Sequence, residues 1–426
     1  LHLYAFLHSV VIQRQTQMWT LYSLGIHVYA FLVFVASFFN AKAKKRFVGQ
    51  RQTFKYLKSN VDKNAKYVWF HAASLGEFEQ ARPLMEELRR RKPEYKILLT
   101  FFSPSGYEVR KNYEGADLVC YMPLDTIRNA ERFVRRVKPV DAIFVKYEFW
   151  PNFLFALRRR GIPTYIVSAH FRDNQAFFKW YGVAYAKVLK FFNRLFVQDM
   201  HSVELLNGVG IENVTISGDT RFDRVVEIAS NRKELPLVEA FVGGQKAIVA
   251  GSSWPKDEDM LIKYAQDKGV KLILAPHEIH ESHLAEIERK WNEAGGAKPI
   301  VRYTAATDDN VRNAGCLIIN NFGMLSSIYY YGTVAYVGGG FGVGIHNLLE
   351  AAVYGMPVVF GPNHTAFREA LKLKECGGGI AIVSYEDFER EMNRLIANPE
   401  EAGAAAGNYV NSNKGASDKI LGEIFL

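Results

Sequence analysis

Cysteine is scarce in this chain. Cys120, Cys316 and Cys376 stand singly and far apart, and an odd, scattered set excludes a disulfide framework and points to a reducing compartment. No Cys-x-x-Cys pair and no His/Cys cluster occurs, so neither a zinc site nor any other metal or cofactor is expected. No repeat of solenoid length is present. Acidic residues are outnumbered, 44 against 53 basic ones, for a formal charge of +9. Basic proteins seek nucleic acid, anionic membranes or phosphorylated substrates. No nucleic-acid motif accompanies the charge, so no nucleic-acid partner is expected. Part of the excess has a local use: Arg89 to Lys92, Arg135-Arg136 with Lys138, and Arg158 to Arg160 each close a helical pattern, where cations complement the helix C-terminus.

What is present is apolar bulk. With 426 residues, 49% hydrophobic and 14% aromatic, the chain can fill two cores. Met18 to Phe39 carries no charged residue and is long enough to cross a bilayer. Lys42, Lys44, Lys45, Arg46, Arg51, Lys55 and Lys58 follow with no acid among them. The positive-inside rule places that flank, and everything after it, in the cytoplasm. A cleaved signal peptide would carry its charge before the apolar core. We therefore expect a membrane anchor over 18–39 and a basic juxtamembrane segment over 40–58; a monotopic anchor lying in the interface is the alternative. Residues 1–17 read as an upstream extension, with Met18 as a start, or as a fragment end.

From Tyr67 the pattern alternates short apolar runs with helical segments. Strands are expected at Val68–His71, Ile97–Phe101, Leu118–Tyr121, Ala142–Val145, Thr164–Val167 and Leu195–Val197. A second series is expected at Ala247–Ala250, Leu272–Ala275, Cys316–Ile319, Val334–Val337, Val358–Phe360 and Ile380–Val383. Continuous apolar strands separated by helices imply parallel sheets covered on both faces. The expectation is α/β: two Rossmann-like domains, 59–222 and 245–400, facing a cleft. A polar linker, 223–244, would join them, and a helical tail, 401–426, would follow.

Candidate chemistry falls at strand ends, where such sheets bind ligands. Gly338-Gly339-Gly340-Phe341-Gly342-Val343-Gly344-Ile345-His346-Asn347-Leu348-Leu349-Glu350 sits between a strand and a predicted helix, Leu348 to Tyr354. Its glycines would let backbone approach a phosphate, and Glu350 would accept from ribose hydroxyls. Its spacing fits neither a dinucleotide fingerprint nor a Walker loop; a plain tight turn is the alternative. His71-Ala72-Ala73-Ser74-Leu75-Gly76-Glu77 ends in a carboxylate, either a general base or a charge stabilising the helix N-terminus. Lys146-Tyr147-Glu148-Phe149-Trp150-Pro151-Asn152 sets Glu148 among aromatics, where it faces a cleft or pairs with a cation. Ser217-Gly218-Asp219-Thr220-Arg221-Phe222-Asp223 offers Arg221 as an anion fork, or as the partner of Asp223. Gly251-Ser252-Ser253 reads as a helix cap or a phosphate-facing turn. Pro276-His277-Glu278-Ile279-His280 suits nucleotide contact better than metal, since it is not H-E-x-x-H. In Asn321-Phe322-Gly323-Met324-Leu325-Ser326, Gly323 gives backbone access.

Four of these motifs in this order, behind an apolar N-terminus, resemble the 3-deoxy-D-manno-octulosonic acid (Kdo) transferase family from about Met18 onward. The resemblance implies an inverting GT-B glycosyltransferase that moves Kdo from CMP-Kdo to lipid IVA at the cytoplasmic face of the inner membrane, with anionic lipids as partners. It implies Glu77 as base, Glu148 as transition-state stabiliser and Arg221 as basic stabiliser. It places CMP at Pro276 and His277, at Gly323, Met324 and Leu325, and at Asn347, Leu348, Leu349 and Glu350. Three positions depart from the family pattern: Arg221 stands where lysine is usual, His277 where arginine follows the proline, and Met324 where glutamate is common. Phe171, Phe177, Phe178, Trp180 and Tyr181 offer an acyl-chain surface or, alternatively, core. The rivals are another GT-B transferase or a UDP-sugar epimerase, and a membrane-tethered scaffold without turnover.

Overall fold

A computed structural model describes residues 20–425, except 181, 296, 297 and 343. The expectations for residues 1–17, for Met18 and for Tyr181 lie outside the described residues. The chain divides into two compact units. The first runs to Arg224 and includes Gly415 onward; the second is Val225–Lys414.

The first unit is built on a parallel sheet. Its strands are β1 (Lys66–Ala72), β2 (Tyr95–Phe101), β3 (Leu118–Tyr121), β4 (Asp141–Val145), β5 (Thr164–Ala169), β6 (Arg194–Val197) and β7 (Val214–Ile216). They lie in the order β3-β2-β1-β4-β5-β6-β7. Alternate residues feed opposite faces, as strand geometry demands. Tyr67, Trp69 and Leu98 pack into one core with helices Ile127–Val137 and Pro151–Arg159, while Val68, Phe70 and Leu99 pack into the other with Leu75–Arg91. The order reverses between β1 and β4, so the crevice beyond their carboxyl ends is where ligands bind in such sheets.

The second unit repeats the plan. Its strands are β8 (Ala247–Ser253), β9 (Lys271–Pro276), β10 (Ile300–Arg302), β11 (Cys316–Ile318), β12 (Val334–Val337), β13 (Val358–Phe360) and β14 (Gly379–Ala381). The order is β10-β11-β9-β8-β12-β13-β14, with its reversal between β8 and β12.

Several expectations are corrected. Strands β7 and β10 were hidden in sequence because each is three partly buried residues. The expected polar linker is helical, over Thr220–Ser230 and Pro236–Val242, because Val225, Val238 and Phe241 turn inward. The tail splits: helix Glu400–Asn413 belongs to the second unit and helix Ala416–Ile424 to the first. Phe171 and Phe177 are core, whereas Trp180 is 89% exposed. Among the described residues, no helix is long and apolar enough to cross a membrane. The expected span is broken: a helix occupies 20–36, the chain turns over 37–39, and Asn40 caps a new helix, Ala41–Asn60, by accepting from the N–H groups of Lys42 and Ala43. The first helix lies on its own unit, with Tyr22 donating to Asp125 at 2.7 Å and Arg46 bonded to Tyr29.

Candidate functional site

In the first unit three strand ends carry the candidate groups. Glu77 lies in the first turn of helix Leu75–Arg91, where it accepts from the Ser74 hydroxyl. That bond fixes the carboxylate's rotamer, although Ser74 makes no side-chain bond to the helix N–H groups. Glu148 follows β4 and is 14% exposed. Its partner is not a surface cation. Oε2 accepts from Trp150 Nε1 at 2.7 Å and meets His71 Nε2 at 3.2 Å. Arg221 does not pair with Asp223, whose carboxylate accepts from the N–H groups of Gly415 and Ser417. Its Nε donates instead to buried Asp219 at 2.9 Å. Burial alone would raise the Asp219 carboxyl; Arg221, its backbone N–H and the Gln80 amide outweigh that and hold it below the usual carboxylate range.

These segments are tied together. Gln80, one turn beyond Glu77, donates to Asp219 at 2.8 Å, and the Thr220 hydroxyl donates to the Gln80 carbonyl at 2.7 Å. Burial pushes the Tyr147 phenol up, and Asp219 and Arg221 are among the charges acting on it. Arg221 thus hangs on a network with Asp219, Gln80 and Thr220, while Glu148 is held separately by His71 and Trp150, and Glu77 by Ser74. His71, Gln80 and Asp219, which organise these contacts, were not predicted. Asp219 and His71 lie inside motifs singled out above, but their partners are distant in sequence.

The second unit gathers its groups through contacts between loops. Asn347 Nδ2 donates to Glu350 at 2.9 Å, and Ser326, beyond Gly323 to Leu325, donates to the other oxygen of Glu350. His277 stacks on Trp254 at 4.8 Å between centroids and lies 4.6 Å from His346. The Pro276–His277 end of β9, the Gly323 turn and the Asn347–Glu350 segment therefore adjoin one another in sequence or contact. His280 turns elsewhere, to Glu278 and the start of its own helix, so the two histidines of that motif do not share a ligand position. Among the described residues no cluster of ligating side chains suits a metal.

Burial limits what some predicted residues can do. Leu348 and Leu349 are fully buried, so only their backbone can meet a ligand, and Met324 is 9% exposed. The predicted helix is a single turn, Leu349–Ala352, and Asn347 Oδ1 already accepts from the Leu349 N–H at 3.1 Å. The glycine-rich loop also binds itself. Gly338 donates to Gly251, Gly339 to Asp257, and Gly342 and Gly344 to the Gly339 carbonyl. A side chain at Gly340 would lie 2.6 Å from the backbone of Gly361. The glycines serve a close crossing of two chain segments. Ser252 and Ser253 are not the helix cap; Trp254 holds that position, and Ser253 donates to buried Glu258 at 3.0 Å.

The family model described as "3-Deoxy-D-manno-octulosonic-acid transferase (kdotransferase)" matches residues 44–224, the segment carrying Glu77, Glu148 and Arg221. Among curated proteins, a 3-deoxy-D-manno-octulosonic acid transferase from Aquifex aeolicus is 29% identical over 80% of this chain and 89% of its own length. One from Bordetella pertussis is 28% identical over 83% of this chain and 86% of its own. Among solved structures, the UDP-GlcNAc 2-epimerase from Neisseria meningitidis bound to UDP-GlcNAc superposes with a TM-score of 0.59 at 13% identity, covering 84% of this chain and 98% of that one. Acinetobacter baumannii MurG gives 0.54 at 13% identity, covering 84% and 99%. At such identities the structural likeness establishes a GT-B-like fold and nothing finer.

Proposed function

We propose that this chain, which matches the Kdo transferase model over 44–224 and Kdo transferases at 28–29% identity, is a member of that family and moves Kdo from CMP-Kdo to lipid IVA with inversion, releasing CMP. The observation that carries the reading is the coincidence of the family match over 44–224 with two carboxylates and an arginine at strand ends of one sheet, each held by side-chain hydrogen bonds. Glu77 takes the proton from a primary hydroxyl of the acceptor as its oxygen attacks the anomeric carbon of Kdo. The bond from that carbon to the CMP phosphate oxygen breaks. Glu148 stabilises positive charge developing on the sugar, and Arg221 the negative charge on the departing phosphate. On the donor side Glu350 accepts from ribose hydroxyls, and His277 with the Asn347 segment meets the cytidylate. The reaction needs no metal in this scheme.

The acceptor is a lipid, and the N-terminus suits one. Leu21, Leu24, Val28, Phe31, Leu32, Val35 and Phe38 are all exposed, at the spacing of one helical face over 20–36 and the turn after it. The basic run Lys42 to Lys58 adjoins that stripe, and each cation near an anionic surface contributes ~1 kcal/mol. We infer peripheral docking on the cytoplasmic face of the inner membrane. Vesicles containing anionic lipid should sediment with the protein. A triple L24S/F31S/F38S variant should lose most of that binding yet keep its affinity for CMP.

The primary test is an assay with CMP-Kdo generated in situ and lipid IVA, read by product mass. A gain of one or more Kdo units is expected. Intact donor with folded protein and no gain would overturn the proposed substrates.

A further inference from the structure

The residue that opens the first motif, His71, is fully buried and has no role in the reaction as described. Its surroundings are ordered around its two nitrogens. On one side, strand register sets His71 beside Thr100 of β2. The Thr100 hydroxyl lies 2.9 Å from His71 Nδ1 and accepts from Trp69 Nε1 at 2.8 Å. The oxygen keeps a second lone pair, so the direction rests on the proton: its other acceptor, the Phe70 carbonyl, is 3.4 Å away, and donation to His71 Nδ1 at 2.9 Å is the shorter bond. On the other side, Nε2 faces Glu148 Oε2 at 3.2 Å. A ring protonated only on Nδ1 would donate to the Thr100 carbonyl, 3.2 Å away, and turn a bare Nε2 lone pair toward the carboxylate.

We propose that Thr100 sets the His71 tautomer, and that His71 is a positioning residue for Glu148. Trp69 N–H donates to the Thr100 hydroxyl, that hydroxyl to His71 Nδ1, and His71 Nε2–H to Glu148 Oε2. Trp150 supplies a second donor to the same oxygen. One carboxylate oxygen is thereby held by two donors, and Oε1 is directed to the reacting sugar. The other titratable group facing Glu148 is Tyr185, whose phenol is pushed up by burial first and then by the charges of Asp125 and Glu148. The rings of Phe144 and Trp150 enclose His71, with centroids 5.7 and 6.3 Å away. The arrangement follows the general rule that the bond made by one imidazole nitrogen decides the state of the other.

The proposal rests on the Kdo-transfer reading for its consequence, but not for its geometry. The experiment therefore has two readouts on the full chain. Ring nitrogen-15 shifts of labelled histidine, assigned with H71Q, should report a bare Nδ1 and a protonated Nε2 in the wild type. In T100V they should report the reverse. A wild-type Nδ1–H ring would overturn the proposal. The second readout is the pH profile of kcat/KM. T100V removes the relay, so its acid limb should move up by about one pH unit, a tenfold loss on that limb, with CMP affinity intact. T100S keeps the hydroxyl and should restore the wild-type profile. H71Q keeps a donor near the Nε2 position and should lose less activity than H71F, which keeps none. A uniform loss at every pH in T100V, with no displaced limb, would also overturn the proposal by reducing Thr100 to packing. If the wild type turns over no Kdo, the substrate reading fails, while the nitrogen shifts still decide the tautomer.

Discussion

The two units share a plan but hold their groups in different ways. In the first, the remote partners stand on regular elements: Glu148 meets His71 of β1, and Asp219 meets Gln80 of helix Leu75–Arg91. In the second, Glu350 is held by Asn347 and Ser326, and the rings of Trp254, His277 and His346 sit on loops. A site hung on a strand and a helix is as rigid as the sheet beneath it, which suits proton transfer and charge stabilisation within tight tolerances. A site set on loops tolerates exchange of one residue for another. All three departures from the family pattern can be sorted this way. Two, His277 and Met324, fall in the second unit, the proposed donor side. In the first, the proposed acceptor side, only Arg221 differs, and it keeps its cationic charge.

The largest expected effect separates the units by kinetics. Glu77→Gln removes the proposed base and leaves a group of the same shape that still accepts from Ser74. We expect kcat to fall ~10²–10⁴-fold, with CMP affinity by calorimetry unchanged. Wild-type turnover in E77Q would break the contrast, because the acceptor-side network would then hold no base.

A smaller and opposite split is expected from Glu350→Ala. Removing a charged acceptor from a ribose contact costs roughly 1.5–3 kcal/mol, about 10- to 100-fold in CMP affinity. Saturating donor should recover most of kcat. A variant with normal affinity and lost turnover would move Glu350 from binding into the chemistry. Ser326 and Asn347 lose a partner in this variant, so its thermal midpoint should be read beside the binding.

How much of this was legible in sequence follows from the same contrast. The central strands are continuous apolar runs, and period alone marks them; β1, β4, β8 and β12 came out within a few residues. The edge strands β7 and β10 escaped because short, half-buried segments carry no period. Helix Thr220–Ser230 escaped because its polar face was read as a linker. Glu77, Glu148 and Arg221 were reached through motifs. Their partners were not, since nothing in a linear chain sets Thr100 beside His71 until the strands are in register. His346 was within reach: it lies inside the glycine-rich motif next to Asn347. Its role appears only once β9 brings His277 to it.

The smallest prediction tests the donor side's tolerance. His277 stands where the family pattern has arginine, so a ring replaces a permanent cation at the proposed donor site. Its neighbour His346 is lowered from the ordinary histidine value, first by burial and then by His277. Asp257, which accepts from the N–H groups of Trp254 and Gly339, opposes that lowering. A lowered histidine takes up its proton only below its usual range, about 6.5. A bound phosphate favours the protonated ring, so binding and proton uptake are linked. CMP affinity should therefore tighten as pH falls from 7 toward 5. His277→Arg installs a permanent cation at the cost of the stack on Trp254. Affinity above pH 7 should rise by up to about tenfold, roughly 1.4 kcal/mol, and, with a permanent cation beside His346 holding that ring lower still, its dependence on pH from 7 to 5 should flatten. Calorimetry across that range reads both. Unchanged affinity with an unchanged slope would mean that the His277 ring, on Trp254, lies off the phosphate's path, and that the donor half-site meets its anion elsewhere.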